Sequence, residues 1–238
     1  NELMIVNASR ALLGSNVVFV GVGLPNIACN LARRSHSPKL ELVYESGVFG
    51  AQPARLPLSI GDPSLVTGAT SVTSISDLFM YYLQGGLVDV ALLGGAQIDM
   101  YGNLNSTMIG SDYHKPKVRF PGSGGANDLA SNAWNILVLT PQDNRRFVGK
   151  VDYVTSPGYL SGKGAREEAG LPPGSGPYKV ITQLAVLGYD KDTCRMQVES
   201  LHPEVSLEQV KENTGFELLV SPKLTETPAP TPKELKIL

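Results

Sequence analysis

Cysteine and histidine are scarce in this sequence. The 238 residues contain two cysteines, Cys29 and Cys194, which are too far apart to form a CxxC motif. Two cysteines in a chain of this length do not make a disulfide framework, so we expect a reducing, cytoplasmic setting. The histidines are scattered among polar residues and prolines, and we predict surface positions for them, with neither a Ser-His-Asp triad nor a histidine metal site. They are His36, His114 and His202.

Strong net charge and long apolar runs are also missing. The formal net charge is −2, which gives no reason to expect nucleic acid or an anionic membrane as a partner. The longest uncharged stretch, between Arg10 and Arg33, is interrupted by glycines and a proline and is not predicted to span a membrane. Charged residues make up only 18% of the chain. This low fraction favours a large interface with another protein.

Three common sequence motifs are incomplete or absent. Gly21-Val22-Gly23 resembles the start of a dinucleotide fingerprint, but Asn26 stands in the place of the third glycine and Pro25 disrupts the turn. The segment 162–164, Gly-Lys-Gly, lacks the leading glycine and the Ser/Thr of a P-loop. No G-x-S-x-G nucleophile motif occurs. We therefore exclude these three types of site.

What the sequence does contain is an alternation of apolar strands, glycine loops and helices. This alternation predicts an α/β fold with an open, largely parallel sheet and helices on both faces. We expect a single domain over 1–220 and a proline-rich tail at 221–238 that lies on a partner or stays mobile. The predicted helices are 2–13, 25–34, 74–83, 128–134 and 206–213; the predicted strands are 17–20, 40–45, 88–93, 136–140, 151–155, 180–189, 196–201 and 216–220.

The stretch 40–51, LELVYESGVFGA, combines a predicted buried strand with a carboxylate at its end, Glu45. Ligands of parallel sheets bind beyond the carboxyl ends of the strands. Glu45 is therefore either a solvated strand end or a carboxylate placed for chemistry. The run Gly124-Gly125-Ala126 is either a simple turn or a pair of backbone donors for an oxyanion. A carboxylate beside such donors can attack an activated acyl group.

Four segments stand out in order along the chain: VYESG (43–47), LGGAQIDMYGNLNST (93–107), FPGSGGAN (120–127) and VDYVTSPG (151–158). These segments resemble class I CoA-transferases, and most of all the β subunit of glutaconate CoA-transferase. The likeness runs in order from about Val17 to Phe216. The 3-oxoacid branch of the family typically has Ser-Glu-Asn-Gly around its glutamate, and this chain departs from that pattern at Tyr44 and Ser46.

The resemblance implies a ping-pong reaction at Glu45. The carboxylate attacks an acyl-CoA to give an acyl-glutamyl anhydride, CoA then forms an enzyme-CoA thioester, and a second carboxylic acid reverses both steps. Coenzyme A is part of the substrate, and no metal or permanently bound cofactor is implied. Residues Gly124, Gly125 and Ala126 are expected to bind the thioester oxygen. The expected site wall comprises Gly21, Gly23, Leu24, Pro25, Ser46, Gly47, Gly95 and Gln97.

The family also implies a partner and leaves alternatives open. A homologous α subunit is expected to share the site, in an α2β2 assembly. Look-alikes of the family act as acyl-CoA hydrolases, ring-opening hydrolases or decarboxylases, and they generally replace the glutamate that this chain keeps at position 45. A third hypothesis is a non-catalytic module that binds acyl-CoA or senses a sugar phosphate.

Overall fold

The structure is a computed structural model that describes residues 1–21, 23–53 and 55–238. Val22, in the predicted glycine loop, and Ala54, in an irregular segment, lie outside the described residues. The strands are β1 (Val17–Val20), β2 (Glu41–Tyr44), β3 (Val48–Phe49), β4 (Ser71–Val72), β5 (Val90–Leu93), β6 (Gln97–Ile98), β7 (Leu104–Asn105), β8 (Met108–Ile109), β9 (Val118–Arg119), β10 (Asn135–Leu139), β11 (Gly176–Ile181), β12 (Ala185–Tyr189), β13 (Met196–Leu201) and β14 (Leu219–Glu226).

The helices are short and lie mostly where the sequence predicts them. A 3-10 turn at Pro63–Val66 interrupts the irregular segment after β3, and a π-helical turn, Leu78–Leu83, directly continues α3. None of the helices in the described part of the chain combines the length and the apolar character needed to cross a membrane. The α helices are α1 (Glu2–Ala11), α2 (Leu24–Ser35), α3 (Ile75–Asp77), α4 (Ala126–Asn132), α5 (Ala165–Glu168), α6 (Leu207–Glu212) and α7 (Pro232–Ile237).

The main sheet has ten strands in the order β14-β13-β12-β11-β10-β5-β1-β2-β3-β4. Its centre, from β11 to β2, is parallel throughout. The flanking pairs β11–β12, β12–β13, β2–β3 and β3–β4 are antiparallel, and β14 is parallel to β13. The prediction of an open, largely parallel sheet is confirmed for the centre of the molecule, with antiparallel flanks.

Side chains alternate between two hydrophobic cores, one on each face of the sheet. Phe19 and Val43 point into a core formed with the π-helical turn, α4 and α6. Val18 and Tyr44 point into the opposite core, which α1 and α2 cover and α7 extends. Because neighbouring strand residues face opposite sides, the residue after Tyr44 is directed toward the face that carries α4.

Two strand predictions need correction. Residues 151–155 form no strand, because the backbone bonds of this segment are confined to its end, where the Thr155 N–H donates to the Leu104 carbonyl oxygen at 2.9 Å beside an isolated bridge between Ser156 and Leu104. Further up the segment, the Asp152 N–H donates to the Gln97 side chain. The predicted strand 180–189 is two strands, β11 and β12, separated by a tight connection at 182–184. The Oγ1 of Thr182 accepts the N–H groups of Leu184 and Ala185 there.

The C-terminal segment also differs from the prediction. Strand β14 continues to Glu226 and pairs with β13, so the predicted boundary at residue 220 falls inside a strand. Helix α7 then packs on α2, and Glu234 in α7 forms a bidentate ion pair with Arg10 of α1. Residues 221–238 therefore fold back on their own chain.

The prediction that all three histidines lie at the surface is wrong for His202, which is buried. Its Nε2 donates to the Thr182 carbonyl oxygen at 2.9 Å, which leaves Nδ1 to accept from the Thr227 hydroxyl at 3.0 Å. This histidine therefore joins the end of β11 to the segment that follows β14.

Candidate active site

Glu45 immediately follows β2, at the carboxyl edge of the parallel sheet. Val20 pairs with Tyr44, which sets Gly21 beside Glu45 on the neighbouring strand end. The glutamate is half-buried. It is thus held at the strand end and is still accessible, as a carboxylate that reacts with a bound substrate must be.

A tight turn after Glu45 fixes its backbone. The N–H of Gly47 donates to the Tyr44 carbonyl oxygen at 2.9 Å, and Gly47 has a φ of +87° that favours glycine. A methyl group added to Gly47 would collide with the backbone carbonyl of Thr73. The Thr73 N–H in turn donates to the Gly47 carbonyl oxygen at 2.9 Å. The segment around Thr73 therefore closes over the turn and leaves no space for a larger residue at position 47.

The backbone N–H of Gly125 donates to Glu45 Oε1 at 3.2 Å. The structure thus brings together the two features that the sequence singled out, across 80 residues. Gly124, with a φ of +49°, also lies beside this carboxylate. The N–H of Ala126 instead donates to the Ser123 carbonyl oxygen at 2.9 Å. Gly125 is therefore the donor of the predicted trio that reaches Glu45, and Ala126 is not.

Phe79 lies against Gly125, and sequence reasoning missed it. A methyl group built on Gly125 would stand 2.5 Å from Phe79 Cζ and 3.1 Å from Glu45 Oε1. Phe79 belongs to the π-helical turn, and the sequence carries no signal that distinguishes such a turn from an ordinary α helix. Its helical pattern alone could not place the ring at the site.

The predicted wall residues around the start of α2 lie at the end of β1 and in the first turn of the helix. Gly23, with a φ of +83°, is the N-cap of α2, and Pro25 occupies its first turn, where proline is tolerated because its missing N–H would have no helical partner. Leu24 packs against the core that α1 and α2 cover, on the face of the sheet opposite to the one toward which Glu45 is directed. Gly23 and Pro25 therefore set the start of α2, and Leu24 contributes to a core rather than to the wall of the site.

Buried polar atoms flank the loop and the turn. Asn26 is fully buried, and its Oδ1 accepts from the Tyr44 hydroxyl at 3.5 Å. Burial raises the pKa of Tyr44 to about 12, so the phenol stays protonated and can donate. Within the described residues, Asn26 Nδ2 and the buried Oγ of Ser46 have no hydrogen-bond partner. The Ser46 hydroxyl, next to Glu45, is therefore one polar group of the site that no protein contact satisfies.

Gln97 has a scaffold role rather than a contact with Glu45. Its Oε1 accepts from Asn105 Nδ2 at 2.7 Å and from the Asp152 N–H at 3.0 Å. Gly95 packs closely against the backbone of the same two residues. A methyl group on Gly95 would come within 3.3 Å of the carbonyl oxygens of Gln97 and Asn105. Among the described residues, the predicted wall positions Gly95 and Gln97 thus join the loop after β5 to neighbouring segments, and neither forms a hydrogen bond with the Glu45 carboxylate.

Side-chain hydrogen bonds connect three of the four resemblance segments. Asn127 Nδ2 donates to the Thr155 carbonyl oxygen at 2.8 Å, and Thr155 Oγ1 accepts the Ser106 N–H at 2.9 Å. The Ser106 carbonyl oxygen accepts the Gly122 N–H at 3.1 Å. The segments 93–107, 120–127 and 151–158 therefore form one interlocked scaffold that positions Gly125.

A cleft of about 600 Å³ lies next to this scaffold. Its walls are mostly apolar, with Phe120 from the loop that leads to Gly125 and Ala96 from the loop after β5. Arg145 and Arg146 supply positive charge at its rim, and Asp143 lies 3.3 Å from Arg146 Nε. The cleft is suited to a ligand that combines apolar and anionic parts.

A family profile described as Coenzyme A transferase matches residues 2–213 of this chain. The β subunit of 3-oxoadipate CoA-transferase from Pseudomonas knackmussii is 48% identical over 238 residues, which cover 100% of this chain and 91% of that protein. The β subunit of glutaconate CoA-transferase from Acidaminococcus fermentans is 41% identical over 241 residues, which cover 100% of this chain and 90% of that protein. The chain belongs to the coenzyme A transferase family.

Solved structures agree with this assignment. The crystal structure of glutaconate coenzyme A-transferase from Acidaminococcus fermentans superposes with a TM-score of 0.93 at 40% identity, covering 99% of this chain and 91% of that one. The decarboxylase AibA/AibB superposes with a TM-score of 0.84 at 26% identity, covering 99% of this chain and 91% of that one. The predicted resemblance to the glutaconate CoA-transferase β subunit is confirmed, although the 3-oxoadipate relative has the higher sequence identity of the two.

Proposed function

We propose that this chain is the β subunit of a CoA-transferase that exchanges CoA between an acyl-CoA and a dicarboxylic acid, with Glu45 as the nucleophile. The hydrogen bond from the Gly125 N–H to Glu45 Oε1 carries this proposal. It supplies a donor at the atom on which negative charge develops when the glutamyl carbonyl is attacked.

The chemistry follows from this hydrogen bond. One glutamate oxygen attacks the thioester carbonyl carbon, the C–S bond breaks, and CoA leaves as a thiolate. The thiolate then attacks the glutamyl carbonyl carbon of the anhydride, and the first acid leaves with the bridging oxygen. In that second step the remaining oxygen of Glu45 becomes an oxyanion, and Gly125 can stabilise it. A second carboxylate repeats the sequence in reverse and leaves as the new acyl-CoA.

The choice of a dicarboxylic acid rests on the relatives. The proteins at 48% and 41% identity are named for 3-oxoadipate and glutaconate, and both acids carry two carboxylates. The arginines at the rim of the cleft are a source of charge for a second carboxylate. We propose 3-oxoadipate ahead of glutaconate because the 3-oxoadipate relative is more similar in sequence.

The partner is an α subunit, and we propose that it covers the surface formed by residues 56–87. Both relatives are named as one subunit of a larger enzyme. The only charged residues of 56–87 are Asp62, which is buried, and Asp77. The surface reaches the site itself, through Thr73 at Gly47 and Phe79 at Gly125. Its exposed large apolar side chains are Leu56, Leu58, Ile60, Val66, Val72, Ile75, Met80, Tyr81 and Leu87.

An uncovered apolar surface of this kind marks a protein interface. A groove of about 410 Å³, bounded by Phe49, Leu78, Tyr81, Tyr82 and Leu87 among others, opens on the same surface and can receive side chains of a partner. We propose an α2β2 assembly, in which a site bordered by this surface is completed by the α subunit.

Trapping at Glu45 tests the proposed function. The chain is co-expressed with its α subunit and incubated with succinyl-CoA, and the complex is treated with borohydride or hydroxylamine and mapped by mass spectrometry. We expect modification at Glu45 and transfer of CoA to 3-oxoadipate, glutaconate or acetate. Both should be lost in Glu45→Ala and strongly reduced in Glu45→Asp, which withdraws the carboxylate from attack distance. Glu168→Ala, an exposed glutamate in α5, is the matched control.

The fold likeness to the decarboxylase AibA/AibB supplies a second candidate function. A decarboxylase or hydrolase would need its acid or base elsewhere, for example on the α subunit. Acyl-CoA turnover that survives Glu45→Ala, without an adduct at residue 45, would reject the transferase and favour this alternative.

A further inference from the structure

Phe79 is anchored in the sheet at one side of its ring. The ring contacts Phe19 edge to face, with centroids 5.6 Å apart and an interplanar angle of 61°. Phe19 is 2% exposed in β1, which lies between β2 and β5. The Phe79 ring therefore rests on the rigid centre of the molecule.

The tip of the same ring occupies the space beside Gly125. Phe79 Cζ and Cε1 lie 2.5 Å and 2.8 Å from the point where a methyl group on Gly125 would stand, and Glu45 Oε1 lies 3.1 Å from that point. The ring and the carboxylate thus both border the Cβ side of Gly125. On that side the Phe79 ring leaves Gly125 no room to move.

The backbone of the helix explains how one residue can reach this place. A π-helical turn contains an extra residue compared with an α-helical turn, and such turns occur frequently at functional sites. In the turn 78–83, Leu78 and Leu83 are buried in the core while Met80 and Tyr81 are exposed. Phe79 lies between these groups, half-buried, with its ring tip at Gly125.

We propose that Phe79 is a positioning residue that holds the Gly125 N–H on Glu45 and excludes water from the glutamyl intermediate. This inference rests on the proposed function. The competing reaction is hydrolysis, in which a water oxygen adds to the glutamyl carbonyl carbon and the C–S bond breaks. One proton of the water goes to CoA, which leaves as its thiol, and the other is released to solvent as Glu45 returns to a carboxylate. An apolar ring that borders the same side of Gly125 as the Glu45 carboxylate disfavours a water molecule beside the glutamyl group. Phe79 would therefore set the ratio of transfer to hydrolysis.

Phe79→Ala removes both effects. The αβ complex is loaded with succinyl-CoA, freed of ligand by gel filtration, and followed by intact mass to obtain the lifetime of the enzyme-CoA adduct. We expect kcat for transfer to 3-oxoadipate to fall about 10- to 100-fold, because the oxyanion donor is less well placed. We expect the adduct to hydrolyse about tenfold faster, because water gains access.

Phe79→Tyr provides a second variant that preserves the packing. The added hydroxyl extends from Cζ toward Gly125, where there is no space for it. We expect Gly125 to be displaced and kcat to fall, while the fold, which loses no side-chain volume, is retained. If Phe79→Ala fails to assemble with the α subunit, kcat and the adduct lifetime of Phe79→Tyr test the positioning role instead.

Phe216 provides matched controls. It is also half-buried and packs on the aromatic ring of Phe147 at a centroid distance of 6.4 Å, close to α6 on the other flank of the sheet. Phe216→Ala and Phe216→Tyr should leave the adduct lifetime unchanged even where they lower thermal stability.

The outcomes separate the two proposals. If wild-type complex forms the Glu45 adduct and Phe79→Ala and Phe79→Tyr match it in kcat and adduct lifetime, the role of Phe79 is overturned and the proposed function stands. If the wild type forms no adduct at all, the proposed function falls and takes the role of Phe79 with it.

Discussion

At Glu45, a backbone N–H rather than a charged side chain bonds the candidate nucleophile in the part of the chain that the structure describes. This N–H belongs to Gly125. Gly47 and Gly125 are both positions where a methyl group would overlap a neighbour. The candidate site therefore depends on two glycines for reasons of space, as well as on the carboxylate itself.

Gly125→Ala should inactivate the enzyme with little effect on substrate binding. The new methyl would meet the Phe79 ring and the Glu45 carboxylate, so the N–H must move away from Oε1. Loss of one oxyanion donor typically lowers kcat about 10²- to 10³-fold. Steady-state kinetics of the αβ complex, with KM for succinyl-CoA as the second readout, measures the effect.

A glycine with ordinary space around it is the control for this substitution. A methyl on Gly149 would lie 3.7 Å from the nearest atom, the Gly215 carbonyl oxygen. Gly149→Ala should keep wild-type kcat. Near-native turnover of Gly125→Ala would argue that the Gly125 N–H contributes nothing to catalysis.

At the residue level, the sequence drew attention to positions where a motif and a strand end coincide. Glu45 and Gly125 could be chosen because they stand in short, recognisable segments, and the structure brings them within hydrogen-bond distance. Phe79 could not, because its place at the site depends on a π-helical turn. Gln97 lies in a recognisable segment too, but a motif does not distinguish a side chain that faces the ligand from one that joins loops.

At the level of elements, the central strands could be predicted from their continuous apolar runs. The same criterion wrongly predicts a strand at 151–155. Val151 and Thr155 are buried, but the three residues between them are exposed. The Asp152 N–H bonds to the Gln97 side chain rather than to a neighbouring strand. An apolar, β-branched composition is compatible with a strand, but strand formation also requires a partner backbone.

The docking of α7 should depend on pH. Hydrogen bonds from Arg10 are the main cause that lowers the pKa of Glu234 from 4.5 to about 2. Because the folded pKa lies below the unfolded one, the stabilisation is complete above about pH 4.5 and is lost as the pH falls toward 2. The Leu235 amide donates to the carbonyl oxygen of Thr231, the N-cap of α7. Hydrogen-exchange protection of this amide should therefore decrease as the pH is lowered from 5 to about 3.

Glu234→Gln is the matched variant for this test. It keeps the shape of the side chain but removes its charge, so protection of α7 at pH 6 should already be reduced. It should also show little further change on acidification. Equal protection of the wild-type helix at both pH values, after correction for intrinsic exchange rates, would contradict the role assigned to the ion pair.

At the scale of the whole molecule, the apolar surface at residues 56–87 borders the candidate site along two of its sides. Thr73 supports the turn after Glu45, and Phe79 supports Gly125. A partner that covers this surface would restrict the movement of both Thr73 and Phe79. Assembly with the α subunit is then expected to be linked to organisation of the site.

Tyr81→Glu should prevent assembly with the α subunit. Tyr81 is 73% exposed on this surface and borders its groove, and a buried, unpaired carboxylate in an interface is costly. A loss of about 2 kcal/mol or more of binding free energy is typical of a central aromatic residue. Light scattering after size-exclusion chromatography of the co-expressed chains should show this chain without its partner.

Leu13→Glu is the control, because Leu13 is 70% exposed but follows α1, outside residues 56–87. This variant should assemble normally. Recovery of an intact complex from Tyr81→Glu would mean that the interface with the α subunit lies elsewhere.

The contact between Arg10 and Glu234 has a consequence for biosynthesis. It joins residues 224 positions apart, so α1 and α2 exist on the ribosome long before α7 can reach them. At about 5–20 residues per second, the intervening chain takes roughly 11–45 s to translate. Throughout that interval Ile27 and Leu31, which border the cavity that Ile237 helps to enclose, lack their final neighbour. The nascent protein therefore completes this side of its fold after the strands of the candidate site have been synthesised, and chaperones have a defined apolar target until then.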